Sequence, residues 1–200
     1  MTTPKGAATR LRIVEAAAAE IRERGTIATT LDDVCRRSGT GKSQLFHYFP
    51  QGREQLLLAV TEFEAERVFQ DQEPYLHELD SRTAWEAWRD AIVETCRDQG
   101  PHCPLGVLIA DVGRYSPAAQ AVTTQLIRRW QAAVRAGIEA TRAAGGIGPD
   151  LDADRTAAAV ITAIQGGVSV LLSTGSATHL EVALDLCLDH LFAANARPVG

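Results

Sequence analysis

Between residues 30 and 49, hydrophobic side chains recur at helical spacing in two short runs on either side of a glycine. Spacings of three and four residues place such side chains on one face of a helix. The buried positions expected in the two runs are Leu31, Val34 and Cys35, followed by Leu45, Phe46 and Phe49. The pattern predicts two short helices, over residues 31–37 and 42–49, joined by a tight turn at Gly39.

Polar residues at the ends of these runs support the same interpretation. The hydroxyl of Thr30 can accept a hydrogen bond from a free N–H of the first helical turn. Asp32 and Asp33 place negative charge in that turn, where the helix dipole favours it. A small residue at Cys35 and a glycine four residues later allow a close helix crossing and a sharp turn. This is the pattern of a helix-turn-helix, whose second helix enters the DNA major groove.

A phosphate-binding loop is the alternative interpretation of the same stretch, because the residues GTGKS, 39–43, match the end of that motif. The full motif requires a glycine five residues before Gly41, where this chain has Arg36, and a preceding buried strand. A short amphipathic helix is predicted there instead, and the sequence therefore favours the helix-turn-helix.

The rest of the hydrophobic pattern predicts an all-α chain of about nine helices, with no succession of strands. The expected helices cover roughly residues 9–24, 31–37, 42–49, 53–72, 82–97, 105–112, 118–144, 152–172 and 180–194. Residues 1–8 are expected to form a mobile arm. The charged run Glu62, Glu64 and Glu66 is expected to be a solvated face.

Charge is divided unevenly along the 200 residues, although the formal net charge is −5. Residues 1–53 carry nine Lys/Arg and five Asp/Glu, a balance of +4. The remaining residues carry eleven Lys/Arg and twenty Asp/Glu, a balance of −9. A basic head on an acidic body is typical of a protein that reads DNA with one part only. We therefore predict two domains, residues 1–53 and 54–200.

Several other classes of protein lack their expected signals. No apolar run approaches the ~20 residues of a membrane span, and residues 1–10 lack the apolar core of a signal peptide, so a cytoplasmic protein is expected. The cysteines are scattered without a Cys-x-x-Cys pair, and neither a metal site nor a cofactor is expected. An enzyme built on a helical bundle would need a carboxylate–histidine cluster such as Glu-x-x-His, which does not occur. A protein-interaction module without DNA binding is disfavoured by the basic head.

The segment TTLDDVCRRSGTGKSQLFHYFPQGREQLLLAV, preceded by RIVEAAAAEIRERG, resembles the tetracycline-repressor (TetR) family of bacterial regulators. A weaker similarity, CPLGVLIAD at residues 103–111, matches a Cys-Pro-(aliphatic)-Gly segment in one branch of that family. The resemblance implies a three-helix DNA-binding head and a helical body that dimerises and binds a small molecule. It also implies a homodimeric repressor that binds a palindromic operator and leaves it when the effector binds.

Site residues are transferred from the family position by position. Lys42, Ser43 and Gln44 open the recognition helix, and glutamine suits adenine while lysine suits guanine. Hydroxyl groups suit phosphate oxygens and fix the register. The residues that the resemblance assigns to DNA contact are Thr30, Thr40, Lys42, Ser43, Gln44, His47, Tyr48 and Arg53. The loop PQGRE is one residue longer than is common in the family, which leaves the reach of Arg53 open.

The last two helices are the expected dimer interface, with intrachain core as the alternative. Glycine inside a helix costs about 1 kcal/mol relative to alanine, and a close helix–helix approach would account for both Gly166 and Gly167. The expected interface residues are Val160, Ile164, Gly167, Val168, Leu171, Leu184, Leu188 and Leu191.

Aromatic and aliphatic residues in the middle of the body are candidates for an effector pocket, with ordinary core as the alternative. The candidates are Trp85, Trp88, Ile92, Cys96, Leu108, Val112 and Trp130. Such a lining would favour an apolar or aromatic effector with few polar anchors.

Overall fold

The computed structural model describes residues 3–100 and 117–193, and within these ranges the chain is all helical, with no strand. This confirms the predicted all-α class. The described helices are α1 (Pro4–Ala28), α2 (Leu31–Ser38), α3 (Lys42–Tyr48), α4 (Arg53–Leu76), α5 (Arg82–Gln99), α6 (Pro117–Ala143), α7 (Ala153–Thr174) and α8 (Thr178–Ala193). The helix predicted over residues 105–112 lies outside the described residues, as does the CPLGVLIAD segment.

The described residues divide into two compact units. One contains residues 3–67 and 117–124, and the other contains residues 68–100 and 125–193. Helices α4 and α6 contribute residues to both units. The predicted domain boundary at residue 53 stays a prediction, because it falls where α4 begins.

The first unit is built around the helix-turn-helix, and its core joins α1 to α4 through side chains that are almost fully buried. Ile13 and Ile21 of α1 lie in this core, as their spacing predicts. The other large contributors are Val34, Leu45, Phe49, Leu56 and Val60. The core fixes one side of α2 and α3 and leaves their other side exposed.

The first helix begins earlier than predicted. Thr3 is its N-cap, with the Thr3 hydroxyl accepting a hydrogen bond from the Gly6 N–H at 3.2 Å, and Pro4 occupies the first helical position, where its missing N–H costs nothing. Residues 4–8 are therefore helical, and the expectation of a mobile arm is wrong for these residues. At the other end Gly25, with φ of 78°, interrupts the helix as predicted, but a further turn follows it to Ala28.

Glu64 of α4 is buried, which corrects the expectation of a solvated acidic face. Its carboxylate accepts a hydrogen bond from Arg22 Nη1 of α1 at 2.8 Å, and its side chain is 1% exposed. Glu62 and Glu66 on the same helix are exposed. The alternation of apolar residues around Glu64 did not indicate this pairing, because the partner lies 42 residues away in the sequence.

In the second unit, α8 packs beside α5 and α7. Three arginines of α5 pair with three carboxylates of α8 in antiparallel order. The pairs are Arg82 with Asp189 at 3.5 Å, Arg89 with Asp185 at 2.8 Å, and Arg97 with Glu181. These pairs are largely exposed and each contributes little alone, but together they define how α8 lies along α5.

Gly167 allows the close approach of α7 to α8. A Cβ atom at this position would lie 2.6 Å from the Leu180 Cα, a distance that real Cβ atoms do not adopt. The close approach expected from this glycine therefore occurs within the chain.

The other seven residues expected at the dimer interface also lie in the chain's own core. Val160, Ile164, Val168, Leu171, Leu184, Leu188 and Leu191 are at most 8% exposed. The intrachain alternative accounts for all eight positions, because helices α7 and α8 bury these side chains against each other and against α5. A partner would have to use a different face of the same helices.

Helix α7 is also the one described helix that is long and apolar enough to cross a membrane by length and composition. Its most apolar window has a mean hydropathy of 1.6, and 44% of that window is buried inside the protein. A core helix of a folded domain meets the same test, and the packing of Gly167 on Leu180 gives α7 that role.

Candidate nucleic-acid interface

The second helix is fixed at its start by a reciprocal capping box. Thr30 Oγ1 accepts a hydrogen bond from the Asp33 N–H at 3.2 Å, and Asp33 Oδ2 accepts from the Thr30 N–H at 3.1 Å. Asp33 Oδ2 also accepts from the Thr30 hydroxyl at 2.6 Å. Thr30 is exposed, but its hydroxyl is occupied by Asp33, as expected of an N-cap.

The turn between α2 and α3 has the left-handed residue that the pattern predicts. Gly39 adopts φ of 65°, and the Thr40 N–H donates to the Cys35 carbonyl at 3.0 Å. Thr40 is 7% exposed, and its hydroxyl lies 2.8 Å from the Ser38 hydroxyl. The N–H and hydroxyl groups of Thr40 thus stabilise the turn. The preceding residues are helical, which excludes the phosphate-binding loop.

The third helix presents a polar surface because its other side is anchored in the core. Leu45 and Phe49 are fully buried, and Arg10 of α1 lies over the Phe49 ring at 5.2 Å. Tyr48 is half-buried, with its ring edge-on to His47 at 5.0 Å between centroids. The exposed residues of this face are Lys42, Ser43, Gln44 and His47.

Phe46 was expected in the buried stripe of α3, and this expectation is wrong. The side chain is 45% exposed and lies beside Gly52 of the following loop. A seven-residue helix has room for few core positions, and Leu45 with Phe49 already fills them. An exposed phenylalanine on this surface was missed because the sequence cannot tell which of two adjacent apolar residues faces the core.

Lys42 is paired within the protein. Its Nζ lies 2.8 Å from Asp32 Oδ1 at the start of α2, and both side chains are more than half exposed. The hydrogen bond to Asp32 raises the pKa of Lys42 above its ordinary value. Lys42 therefore remains a cation, and its ammonium group can exchange Asp32 for another anion.

A network of buried carboxylates joins α1 to α2, and no pattern in the sequence indicates it. Glu20 and Asp33 are 6% and 7% exposed, and Arg24 bridges them at 3.5 Å and 3.2 Å. Arg37 donates to Glu20 at 2.7 Å and to Glu23 at 2.5 Å. Buried carboxylates require such partners, so the network fixes the angle between the two helices.

Much of the basic charge counted in the head therefore has a role inside it. Seven of the nine cations in residues 1–53 donate to carboxylates or backbone carbonyls, namely Arg12, Arg22, Arg24, Arg36, Arg37, Lys42 and Arg53. The balance of +4 still acts over distance. The local contacts, however, are mainly structural.

Arg53 is half-buried at the start of α4, and its guanidinium group points into the head. Nη1 donates to the Thr29 carbonyl, and Nη2 donates to the Thr26 carbonyl. The resemblance assigns Arg53 to phosphate contact. In the structure its two Nη atoms instead donate to backbone carbonyls.

The body residues proposed as a pocket are tightly packed where they are described. Trp85, Trp88, Ile92, Cys96 and Trp130 are 1–9% exposed. A cavity beside Trp85 and Trp88 has room for about one water molecule, against the ~300 Å³ or more of a typical ligand site. Leu108 and Val112 lie outside the described residues. No cluster of metal-binding side chains occurs among the residues described.

The three tryptophans differ in how their indole N–H groups are satisfied. Trp85 Nε1 donates to Thr141 Oγ1 at 2.8 Å, and Trp88 Nε1 donates to Gln72 Oε1 at 3.2 Å. Trp130 Nε1 is buried and has no hydrogen-bond partner within the described part of the chain. A buried unsatisfied donor costs about 1–3 kcal/mol, and among the described residues nothing accepts from the Trp130 N–H.

The capped α2, the left-handed turn at Gly39 and the core-anchored α3 define a helix-turn-helix protein. A family model described as "Bacterial regulatory proteins, tetR family" matches residues 13–60, and one described as "Tetracyclin repressor-like, C-terminal domain" matches residues 80–187. The chain belongs to the TetR family, and the resemblance noted in its sequence is confirmed. This membership places it among transcription factors and not among enzymes.

Similar proteins agree with this assignment. The chain is 35% identical over 107 residues to the HTH-type transcriptional regulator Rv0196 of Mycobacterium tuberculosis, a match over 52% of this chain and 53% of that one. It thus spans about half the length of the curated relatives it matches.

The fold extends over nearly the whole of solved relatives. A TetR transcriptional regulator from Chloroflexus aurantiacus has a TM-score of 0.77 and 26% identity, covering 94% of this chain and 96% of that one. The regulatory protein TetR from Rhodobacter sphaeroides has a TM-score of 0.77 and 17% identity, covering 90% and 97%.

Proposed function

We propose that the chain is a cytoplasmic, homodimeric repressor that binds a palindromic DNA operator and is released by a small apolar or aromatic effector. The observation that carries the DNA-binding part is the exposed polar surface of α3 on a helix whose opposite side is held by Leu45 and Phe49. Two such helices, one DNA turn apart, would read a two-fold symmetric site.

Base reading is assigned to the first turn of α3 and to Phe46. Gln44 has the donor and acceptor that pair with adenine in the major groove, and the Lys42 ammonium suits guanine. Phe46, exposed on the same helix, suits the methyl group of thymine. Ser43, His47 and Tyr48 are assigned to the phosphate backbone, where hydroxyl and ring N–H groups fix the register.

Lys42 would exchange Asp32 for DNA on binding. The ion pair is exposed and worth little in water, so this exchange is inexpensive. Asp32 also places a negative charge near the proposed DNA surface, where it repels phosphates. In a specific complex the contact of Lys42 with a base would offset this repulsion, and in a non-specific complex it would not. Asp32 therefore favours specific over non-specific complexes.

Thr30 and Thr40 contribute mainly by holding the helices that carry the contacts. The Thr30 hydroxyl caps α2, and Thr40 closes the turn before α3. Any contact of these residues with phosphate would be made in addition to these bonds.

The effector site is assigned to the tryptophan-rich middle of the body. Trp130 supports this assignment, because its indole N–H is buried and has no hydrogen-bond partner among the described residues. The other described candidates are packed, so this part of the protein would have to open to admit a ligand. The proposed effector is therefore a largely apolar molecule with one hydrogen-bond acceptor facing Trp130.

Dimerisation is assigned to the exposed face of α7 and α8. Val182 and Leu186, four residues apart on α8, are 52% and 64% exposed. The exposed side of α7 carries the small residues Ala159, Thr162 and Ser169, which would let a second pair of helices approach closely. This face replaces the one expected from sequence.

DNA binding is tested with the fragment that flanks the protein's own coding region, at several salt concentrations. Specific binding that weakens steeply with salt is expected. Gln44→Ala should lose about 1–3 kcal/mol of discrimination at one base position in each half-site, because alanine cannot bond adenine, and binding to a panel of single-base variants measures this.

Gln125→Ala, at an exposed glutamine of α6, is the matched control and should bind like the unaltered protein. An unchanged base preference in Gln44→Ala would show that Gln44 does not read bases. Binding without any sequence preference at low salt would contradict the operator proposal itself.

A further inference from the structure

Arg53 connects the first turn of α4 to the last turn of α1 and to Thr29, which follows that turn. Its two Nη atoms donate to the carbonyls of Thr26 and Thr29, which lie 27 and 24 residues earlier in the chain. A guanidinium group carries these donors in a rigid planar fork, so it can hold two acceptors in one fixed geometry. The same group cannot present these donors to a phosphate without giving up both bonds.

The two acceptors lie where a cation is favoured. Gly25 interrupts α1, and the turn that follows ends at Thr29, so its last carbonyls lie at a helix C-terminus. Thr26 and Thr29 are 5% and 4% exposed, which limits the access of water. Arg53 supplies a charged donor to backbone that is nearly buried.

The residue after this clamp is the N-cap of α2. Thr29 is followed directly by Thr30, whose hydroxyl accepts from the Asp33 N–H, and whose carbonyl accepts from the Val34 N–H at 3.2 Å. Helix α2 in turn holds the turn to α3 through the Cys35 carbonyl. A series of hydrogen bonds thus links Arg53 through Thr29, Thr30 and α2 to the proposed DNA-binding surface of α3.

We infer that Arg53 is a positioning residue for DNA recognition and not a phosphate contact. Its fork fixes the α1–α2 connection on the first turn of α4 and thereby sets where α2 and α3 lie. The longer PQGRE loop is consistent with this assignment, because it precedes an arginine that faces the head interior. The inference rests on the proposed DNA-binding function.

Two variants separate positioning from phosphate contact. Arg53→Lys keeps the charge but loses the fork, and Arg53→Gln loses both. For a positioning residue both variants should weaken binding to the flanking fragment by a similar factor, about 10- to 100-fold. The slope of log affinity against log salt should stay unchanged. Lys42→Gln is the control for a charge at the DNA and should lower that slope by about 1.

Two outcomes would overturn the inference. A phosphate contact predicts that Arg53→Lys binds nearly as well as the unaltered protein, while Arg53→Gln lowers the salt slope by about 1. A residue that only stabilises the fold predicts a lower melting temperature with unchanged affinity well below that temperature. Melting curves of both variants are therefore recorded with the binding data.

A measurement without DNA keeps the inference testable if the flanking fragment holds no operator. Hydrogen exchange of the Asp33 and Val34 amides should be faster in Arg53→Lys than in the unaltered protein, while amides of α7 should be unchanged. Equal exchange at Asp33 and Val34 would show that Arg53 does not hold the start of α2. If the unaltered protein shows no base preference, the proposed function fails. The exchange result still shows whether Arg53 holds the start of α2.

Discussion

Asp33 concentrates several bonds on one carboxylate at the start of α2. It accepts from the hydroxyl and the N–H of Thr30, and it pairs with Arg36 at 2.9 Å and Arg24 at 3.2 Å. The Thr30 hydroxyl is the main cause that holds the pKa of Asp33 well below its ordinary value, with the Thr30 N–H next. Only the ionised carboxylate satisfies all these donors at once.

The depressed pKa makes the stability of the helix-turn-helix depend on acid. Below about pH 4 the unfolded chain takes up a proton at Asp33 while the folded chain does not, so falling pH favours unfolding. The stabilisation by Asp33 is fully present above that pH. It is lost progressively as the pH falls toward the folded-state pKa.

Asp33→Asn should therefore be less stable than the unaltered protein at pH 6, and the difference should shrink as the pH falls from 5 to 3. Urea unfolding followed by circular dichroism at each pH measures it. Asp150→Asn, at an exposed loop carboxylate, is the control and should show no such convergence. A difference that is constant over this range would contradict the assigned role of the charge.

At the scale of single residues, sequence located the exposed polar surface of α3 but did not assign the bonds that its side chains make. Lys42, Ser43, Gln44 and His47 are exposed, as their positions on the helix predicted. The burial of Glu64 and the exposure of Phe46 were not predictable, because each depends on a neighbour that is distant in sequence or on a choice between adjacent side chains.

At the scale of elements, two adjacent glycines of α7, Gly166 and Gly167, differ in the space around them. A Cβ at Gly167 would collide with the Leu180 backbone, whereas a Cβ at Gly166 would meet no atom within 4 Å. Both positions are inside the same helix, so alanine gains about 1 kcal/mol of helix propensity at each. The difference between the two substitutions therefore isolates the packing of α7 on α8.

Gly167→Ala should lower the melting temperature by roughly 2–8 °C, because overpacking of about 2–3 kcal/mol outweighs the gain of about 1 kcal/mol in propensity. Gly166→Ala, compared in dilute solution, should melt at the same or a higher temperature. Equal melting temperatures for the two variants would show that α8 can move away from α7 at little cost.

Element boundaries followed local signals at two glycines, whereas α4 is longer than its local signals predicted. Gly39 ends α2 and Gly25 interrupts α1 before its last turn, and both adopt positive φ. Helix α4 continues through Pro74 to Leu76, beyond its predicted end.

At the scale of the whole molecule, the face available to a partner is the one left exposed after the chain has folded. The hydrophobic residues that the sequence assigned to a dimer interface are buried within one chain. Leu186 and Val182 are exposed on α8 instead.

Leu186→Asp should convert a dimer to a monomer, because a charge would be buried at the proposed interface. Sedimentation equilibrium measures the mass directly. Ile27→Asp replaces a side chain that is 93% exposed on the head, and it should leave the mass unchanged. If Leu186→Asp keeps the mass of the unaltered protein, the interface lies elsewhere.

By itself the sequence determined the helices, their order, the helix-turn-helix and the family, because these depend on periodicity and on residues that are close together in the chain. The tertiary structure decided which partner each polar side chain has and which apolar face remains open. Arg53 and Gly167 show the physical reason. The carbonyls that Arg53 binds and the backbone that Gly167 admits come from other helices, so no local pattern records them.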